Sequence, residues 1–169
     1  KSLSDYNECI SLNNNSSKTY YSRGYTKSLL QDYDGAVEDY TMCISLDQEN
    51  YNAYYNRGMI FKFFSKFDTA ILDFDTAIKI KPDFRDAYQN RAILKSQLKK
   101  KEALTDFNKV IELNPEDGES YFNRAIYFIN NNIKGDYCGD LTKAFQLGYE
   151  SAYEPLHDLC QKTTKKPGQ

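Results

Sequence analysis

One histidine in 169 residues leaves little for imidazole chemistry, and His157 lies in what reads as the closing helix. A solvated or hydrogen-bonded ring is the ordinary state of such a residue. The chain has no glycine-rich phosphate loop and no group of His, Cys, Asp or Glu at metal-ligand spacing. Gly135-Asp136-Tyr137-Cys138-Gly139-Asp140 sets a thiol between two carboxylates, but acidic neighbours raise a thiol pKa rather than activate it. No apolar stretch approaches the roughly 18 residues that span a bilayer. No sign of charge dominates: 22 basic residues face 24 acidic ones, for a net charge of −2. The longest basic run, Lys99-Lys100-Lys101, carries no interleaved aromatics and reads as a solvated turn. Nothing alternates with period two over a strand's length. These absences argue against an enzyme, a cofactor, a metal, nucleic acid and membrane insertion, and they leave helices.

Cysteine is sparse and mostly placed for packing. Cys9 and Cys43 fill the same slot of successive units, which later hold Ala77, Val110 and Ala144, so the slot takes a small apolar side chain. Equivalent residues on stacked helices lie about 10 Å apart, beyond the roughly 7 Å between Cα atoms that a disulfide tolerates. Cys138 and Cys160 fall on adjacent elements that can meet, but without a redox or metal motif they read as two buried thiols. The cysteine placement mildly favours a cytoplasmic location.

What is present is a phrase that recurs. It runs Tyr20-Tyr21-Ser22-Arg23-Gly24, Tyr54-Tyr55-Asn56-Arg57-Gly58, Tyr88-Gln89-Asn90-Arg91-Ala92 and Tyr121-Phe122-Asn123-Arg124-Ala125, with the Arg residues 34, 34 and 33 positions apart. A second phrase keeps the beat: Asp5-Tyr6, Asp39-Tyr40, Asp73-Phe74, Asp106-Phe107 and Asp140-Leu141. Such a period marks stacked supersecondary units that bury their apolar faces only against neighbours. Each unit holds two amphipathic segments. In residues 51–84 the second shows Ala70-Ile71, Phe74, Ala77-Ile78 and Ile80 at helical spacing, closed by Pro82.

Tyr and Gly in the first segment, Ala-x-x-x-Phe in the second and Pro at the exit resemble the tetratricopeptide repeat, in a form common in bacteria. The resemblance implies an all-α, right-handed superhelical solenoid of helix-turn-helix units forming one domain over residues 1–163. It lays out a lone second helix at 1–13, full repeats at 17–50, 51–84, 85–117 and 118–150, a capping helix at 151–163 and a flexible tail at 164–169. Leu156, Leu159 and Cys160 would cover the last repeat, with Glu154, Asp158 and Lys162 facing water. The chain departs from the pattern with Tyr for the usual Trp, Arg before the Gly/Ala, Tyr137 for a small residue and Gln48 for Pro. It opens inside a helix, so a longer parent protein is expected.

The family's first helices line a concave groove, which implies a peptide-binding face built from Tyr21, Tyr25, Tyr55, Asn56, Met59, Phe63, Gln89, Asn90, Ile93, Phe122, Asn123 and Ile126. Asn56, Asn90 and Asn123 each precede the repeated Arg. An amide both donates and accepts, so the three resemble the asparagine ladder with which some members hold a peptide backbone. They read equally well as solvated side chains on an exposed face. Members that grip a chaperone's C-terminal carboxylate use Lys, Asn and Arg at places that here hold Tyr21, Tyr25, Asn56, Asp86 and Asn90. Only Asn56 fits, and Asp86 would repel a carboxylate.

Each Asp of the second phrase precedes the next unit's Arg by 18 residues: Asp5 to Arg23, Asp39 to Arg57, Asp73 to Arg91 and Asp106 to Arg124. The expectation is a structural ion pair at every junction between repeats, with Arg forking onto the carboxylate. The functional expectation is a non-catalytic protein-interaction module that takes an extended peptide or a partner helix. One alternative is an assembly element that self-associates end to end through Leu3, Tyr6 and Ile10. Another is a regulatory arm of a longer protein.

Overall fold

A computed structural model describes residues 2–12 and 16–161, and every regular element in them is helical. The Lys162 expectation and the tail at 164–169 lie outside the described residues. The elements are α1 (Leu3–Ser11), α2 (Ser17–Leu29), α3 (Tyr33–Leu46), α4 (Tyr51–Phe63), α5 (Phe67–Ile80), α6 (Arg85–Gln97), α7 (Ala103–Leu113), α8 (Gly118–Asn130), α9 (Tyr137–Gln146) and α10 (Tyr153–Pro155). No helix is long and apolar enough to cross a membrane among the described residues. The chain divides into two compact units, Lys1–Ala87 and Tyr88–Gln169.

Local chemistry sets the helix starts. Ser2 and Asp5 form a reciprocal capping box on α1, while Ser16, Asp32, Asn50 and Asp136 accept from the third residue of α2, α3, α4 and α9. Two positions past the end of the first helix of every repeat stands a residue of positive φ: Gln31 at 63°, Ser65 at 57°, Lys99 at 55° and Asn132 at 49°. That left-handed turn reverses the chain into the second helix.

In the first unit, Tyr20, Ala36, Tyr40, Cys43, Ala53 and Ile60 form one buried cluster, with Ile10 of α1 packed against it. Gly58 exists for a close approach: a Cβ there would lie 2.9 Å from the Phe74 ring and 3.1 Å from the Asp73 Cβ. In the second unit, Ala92, Ala103, Phe107, Tyr127 and Phe128 form one cluster, and Ala125, Leu141, Ala144, Ala152 and Leu156 a second. Tyr137, oversized for its slot, packs against both. Gly135 lets Phe128 close over the turn, since a Cβ would sit 2.4 Å from the ring.

The closing segment is less regular than one helix. A 3₁₀ turn at Glu150–Ala152 leads through α10 into a π-wound stretch at Leu156–Gln161, where Pro155 has brought no N–H to the ladder. Leu156 is buried, Leu159 is 41% exposed, and Glu154 and Asp158 face solvent.

Candidate functional site

The repeated Arg and Asp do pair, but inside each repeat. Arg23 places Nε and Nη2 at 2.8 and 2.5 Å from the two Asp39 oxygens, and Arg57 meets Asp73 at 2.9 and 2.7 Å. Arg91 meets Asp106 at 2.9 and 2.5 Å, and Arg124 meets Asp140 at 2.8 and 2.6 Å. The pairing expected across the junctions is thereby corrected. The physical reason is the small residue after each Arg: without a Cβ, Gly24 and Gly58 admit the Asp39 and Asp73 side chains of the same repeat. Asp5, expected to meet Arg23, accepts the Ser2 N–H of its own cap.

A junction contact exists too, made with neutral acceptors. Arg23 Nη1 donates to Asn7 of α1 at 2.9 Å, Arg57 Nη1 to Thr41 of α3 at 3.0 Å, and Arg124 Nη1 to Asn108 of α7 at 2.8 Å. Each guanidinium also lies over the Tyr three residues earlier, at 5.5 Å for Arg23 over Tyr20 and 5.3–5.9 Å in the others. The Tyr-x-x-Arg phrase is thus a structural staple. Its carboxylate partner holds Arg23 and Arg124 more firmly protonated than usual, chiefly through the hydrogen bonds they donate to Asp39 and Asp140.

Cys138 and Cys160 form a disulfide. The expectation of two buried thiols is corrected: α9 and the π-wound segment bring the pair's Cα atoms to 5.7 Å. The thiol between two carboxylates is therefore a tether, Asp136 a helix cap and Asp140 an Arg partner. His157 is exposed and bonded to the neighbouring Asp158 at 3.0 Å. Among the described residues no three His, Cys, Asp or Glu side chains gather as metal ligands.

The expected groove residues sort by unit. In the first, Tyr25, Asn56, Met59 and Phe63 line an open pocket of about 290 Å³. Ser28, Tyr33, Tyr40 and Ile60 complete its wall, and none of those four belonged to the expected set. The Tyr33 and Phe63 rings meet at a tilt of 36° with centroids 5.0 Å apart, Phe64 meets Tyr33 edge-on at 5.5 Å, and Phe63 stays 65% exposed at the rim. Tyr21 is half-buried, with its hydroxyl accepting the Asn56 amide at 3.1 Å. Tyr55 packs on Phe74 and Phe84 at 5.7 and 4.9 Å.

In the second unit Gln89, Asn90, Ile93, Phe122, Asn123 and Ile126 are all half-buried. Ile93 packs on the first cluster, and Phe122 lies 5.0 Å from Tyr149. Gln89 has a buried Oε1 that accepts no hydrogen bond. The three ladder amides are not equivalent: the Asn56 nitrogen is engaged by Tyr21, Asn90 has partners of its own, and Asn123 makes no side-chain hydrogen bond.

The pocket floor is Tyr40. The matching positions hold Tyr6, Phe74, Phe107 and Leu141, so the slot takes a large, mostly aromatic side chain, and nothing in the sequence marked Tyr40 as a pocket residue. Tyr40 is 1% exposed, and burial, its main influence, pushes the phenol up to about 12. The hydroxyl lies near Ser28 and Asn56 but makes no hydrogen bond of good geometry to either.

The sequence pattern of the tetratricopeptide repeat matches residues 17–50 and again 51–84. No curated protein matches the chain. Among solved structures, MamA is 18% identical over 89% of each chain with a TM-score of 0.81. YrrB, described as a TPR protein with an unusual peptide-binding site, is 17% identical over 90% of this chain and 80% of its own, with a TM-score of 0.78. The first TPR of Spaghetti (RPAP3), bound to the HSP90 peptide SRMEEVD, is 24% identical over 68% of this chain and 91% of its own, with a TM-score of 0.64. Likeness at these identities speaks for the fold.

Proposed function

Because the chain is a tetratricopeptide-repeat protein, we propose that it is a non-catalytic interaction module that holds an extended peptide or a partner helix against its first-helix faces. The observation that carries this reading is the uncharged, aromatic-walled pocket to which Tyr25, Asn56, Met59 and Phe63 all contribute. Two structures of like fold support it, one described by its peptide-binding site and one holding a peptide. Asn123, and Asn56 through its oxygen, would engage a peptide backbone, while Tyr25, Phe63, Phe122 and Ile126 would contact apolar side chains. An acidic chaperone tail fits poorly, since Asp86 is exposed beside Arg85, its 3.4 Å partner.

Two further parts of the reading concern setting. The disulfide favours a compartment that allows thiols to oxidise over the cytoplasm that cysteine placement alone suggested. Self-association through α1 is the weaker alternative, because Ile10 already packs into the first cluster.

Panning a random-peptide display library against the chain tests the reading. Selected peptides should share one spaced apolar pattern and bind the Asn56/Asn90/Asn123→Ala variant at least about tenfold more weakly, the loss of one or two hydrogen bonds. Peptides that bind the folded variant equally well would move the site off the first-helix faces.

A further inference from the structure

The segment after α9 is held differently from the helices before it. Two places before the Arg-bound Asp, the earlier repeats carry Val37, Ile71 and Leu104, apolar side chains packed into or against a core. In the last repeat that place holds Cys138, which is joined to Cys160 of the π-wound stretch. A covalent bond that thiols can exchange stands where the other repeats rely on packing.

The hold without that bond is slight. Between residues 150 and 160 the buried side chains are Ala152 and Leu156, while most of the rest, Leu159 included, are exposed. The Tyr153 ring meets Phe145 of α9 with centroids 5.8 Å apart, but both rings stand about half in solvent. A 3₁₀ turn, α10 and the π-wound stretch follow one another, and each is far shorter than the roughly 12–15 residues at which an isolated helix becomes marginal. With the disulfide intact, an opened segment would stay tied at Cys160 as a closed loop. The lost loop entropy disfavours that opening on the order of a hundredfold.

What the segment covers gives the bond its consequence. Ala125 of α8 and Leu141 and Ala144 of α9 are sealed in one cluster with Ala152 and Leu156. A stack of repeats needs a cap over such a face to keep it from water.

We propose that the Cys138–Cys160 bond is a redox latch: intact, it holds residues 150–160 over the last repeat, and its reduction by a dithiol lets that segment open locally while the repeats stay folded. Both cysteines are half-buried rather than sealed, which leaves the bond open to a small thiol. One thiolate of the dithiol attacks either sulfur, and the other sulfur leaves with the electron pair of the broken bond. The second thiol then resolves the mixed disulfide. The protein gains two electrons and two protons as a pair of thiols, and the dithiol becomes its own disulfide. The opened state is a local unfolding that bares the face around Leu141 and Ala144.

Hydrogen exchange resolved by mass spectrometry tests the latch, comparing the oxidised chain with the chain in dithiothreitol, well below the melting temperature of either. Amides at 150–160 should exchange on the order of a hundredfold faster after reduction, while those of α7 and α8 keep their protection. Removing the reductant and adding oxidised dithiothreitol should restore the slow exchange. Cys138→Ser/Cys160→Ser should match the reduced parent without any reductant and ignore dithiothreitol. Equal exchange of the segment in both redox states, whether slow or fast, would overturn the proposal. So would protection lost from α7 and α8 along with the segment, which would make the bond a brace of the whole second unit. A change that reoxidation does not reverse, or a double variant that still responds to dithiothreitol, would overturn it as well.

Discussion

Asp73 is buried and forked by Arg57, a guanidinium only partly covered by the same repeat. Removing the carboxylate would leave that charge half-sealed, so Asp73→Ala should cost about 3 kcal/mol, measured by urea unfolding. A loss below 1 kcal/mol would mean that water replaces the partner. Two buried acids set an alkaline limit as well. Burial pushes the Cys43 thiol from 9.0 up to about 11, and the Tyr40 phenol from 10.0 up to about 12. The unfolded chain releases these protons first, so it binds fewer than the folded chain over this window. Stability should therefore fall as pH rises from about 9 to about 12. Thermal unfolding across that range checks it, and Cys43→Ala should flatten the lower part of the decline. The residue scale is also where sequence reading was least reliable. The constant 18-residue Asp-to-Arg interval held across the shortened third repeat and so looked like the true pairing. The Arg-to-Asp interval within a repeat varies, 16, 16, 15 and 16, because the intervening turn absorbs a residue without disturbing the fork.

Helices carry the next level. Their existence was legible, since apolar residues at helical spacing and the polar breaks between them follow from local chemistry alone. The left-handed residue just past each first helix was not, because Gln31, Ser65, Lys99 and Asn132 share no residue type. Holding a side chain at φ 55° is unfavourable, so Lys99→Gly should stabilise the chain by up to about 1 kcal/mol despite glycine's entropy in the unfolded state. A destabilisation measured by urea would show that the lysine side chain makes contacts that outweigh the strain. The closing segment is held by chemistry rather than by helix length. The disulfide spans 22 residues, and closing a loop of that size stabilises by about 3 kcal/mol. A reductant should lower the melting temperature of the parent and leave Cys160→Ser unchanged; equal responses would deny the bond a role in stability.

For the whole molecule, the division into two compact units falls within the sequence of α6, between Ala87 and Tyr88. The expectation of one domain over residues 1–163 stands as a proposal, and calorimetry addresses it. One transition whose calorimetric and van't Hoff enthalpies agree would support a single cooperative domain. Two transitions, one of them sensitive to reductant, would assign the units separate stabilities. Light scattering over a dilution series bears on the self-association alternative, since a peptide-binding monomer keeps a constant mass.

The repeat itself was written in the chain. Period, helical spacing and small residues at fixed places are local or one-dimensional signals, and they sufficed for an all-helical stack of paired helices and for a set of first-helix residues. What the tertiary structure decided was every choice among partners that satisfied the same period. It determined that Arg57 takes the Asp of its own repeat, that Cys160 reaches Cys138, and that Tyr40 joins Tyr33 and Phe63 in the wall of one pocket. A period constrains distance along the chain, whereas pairing depends on distance in space, and that is set by how closely glycine and alanine let two helices pack.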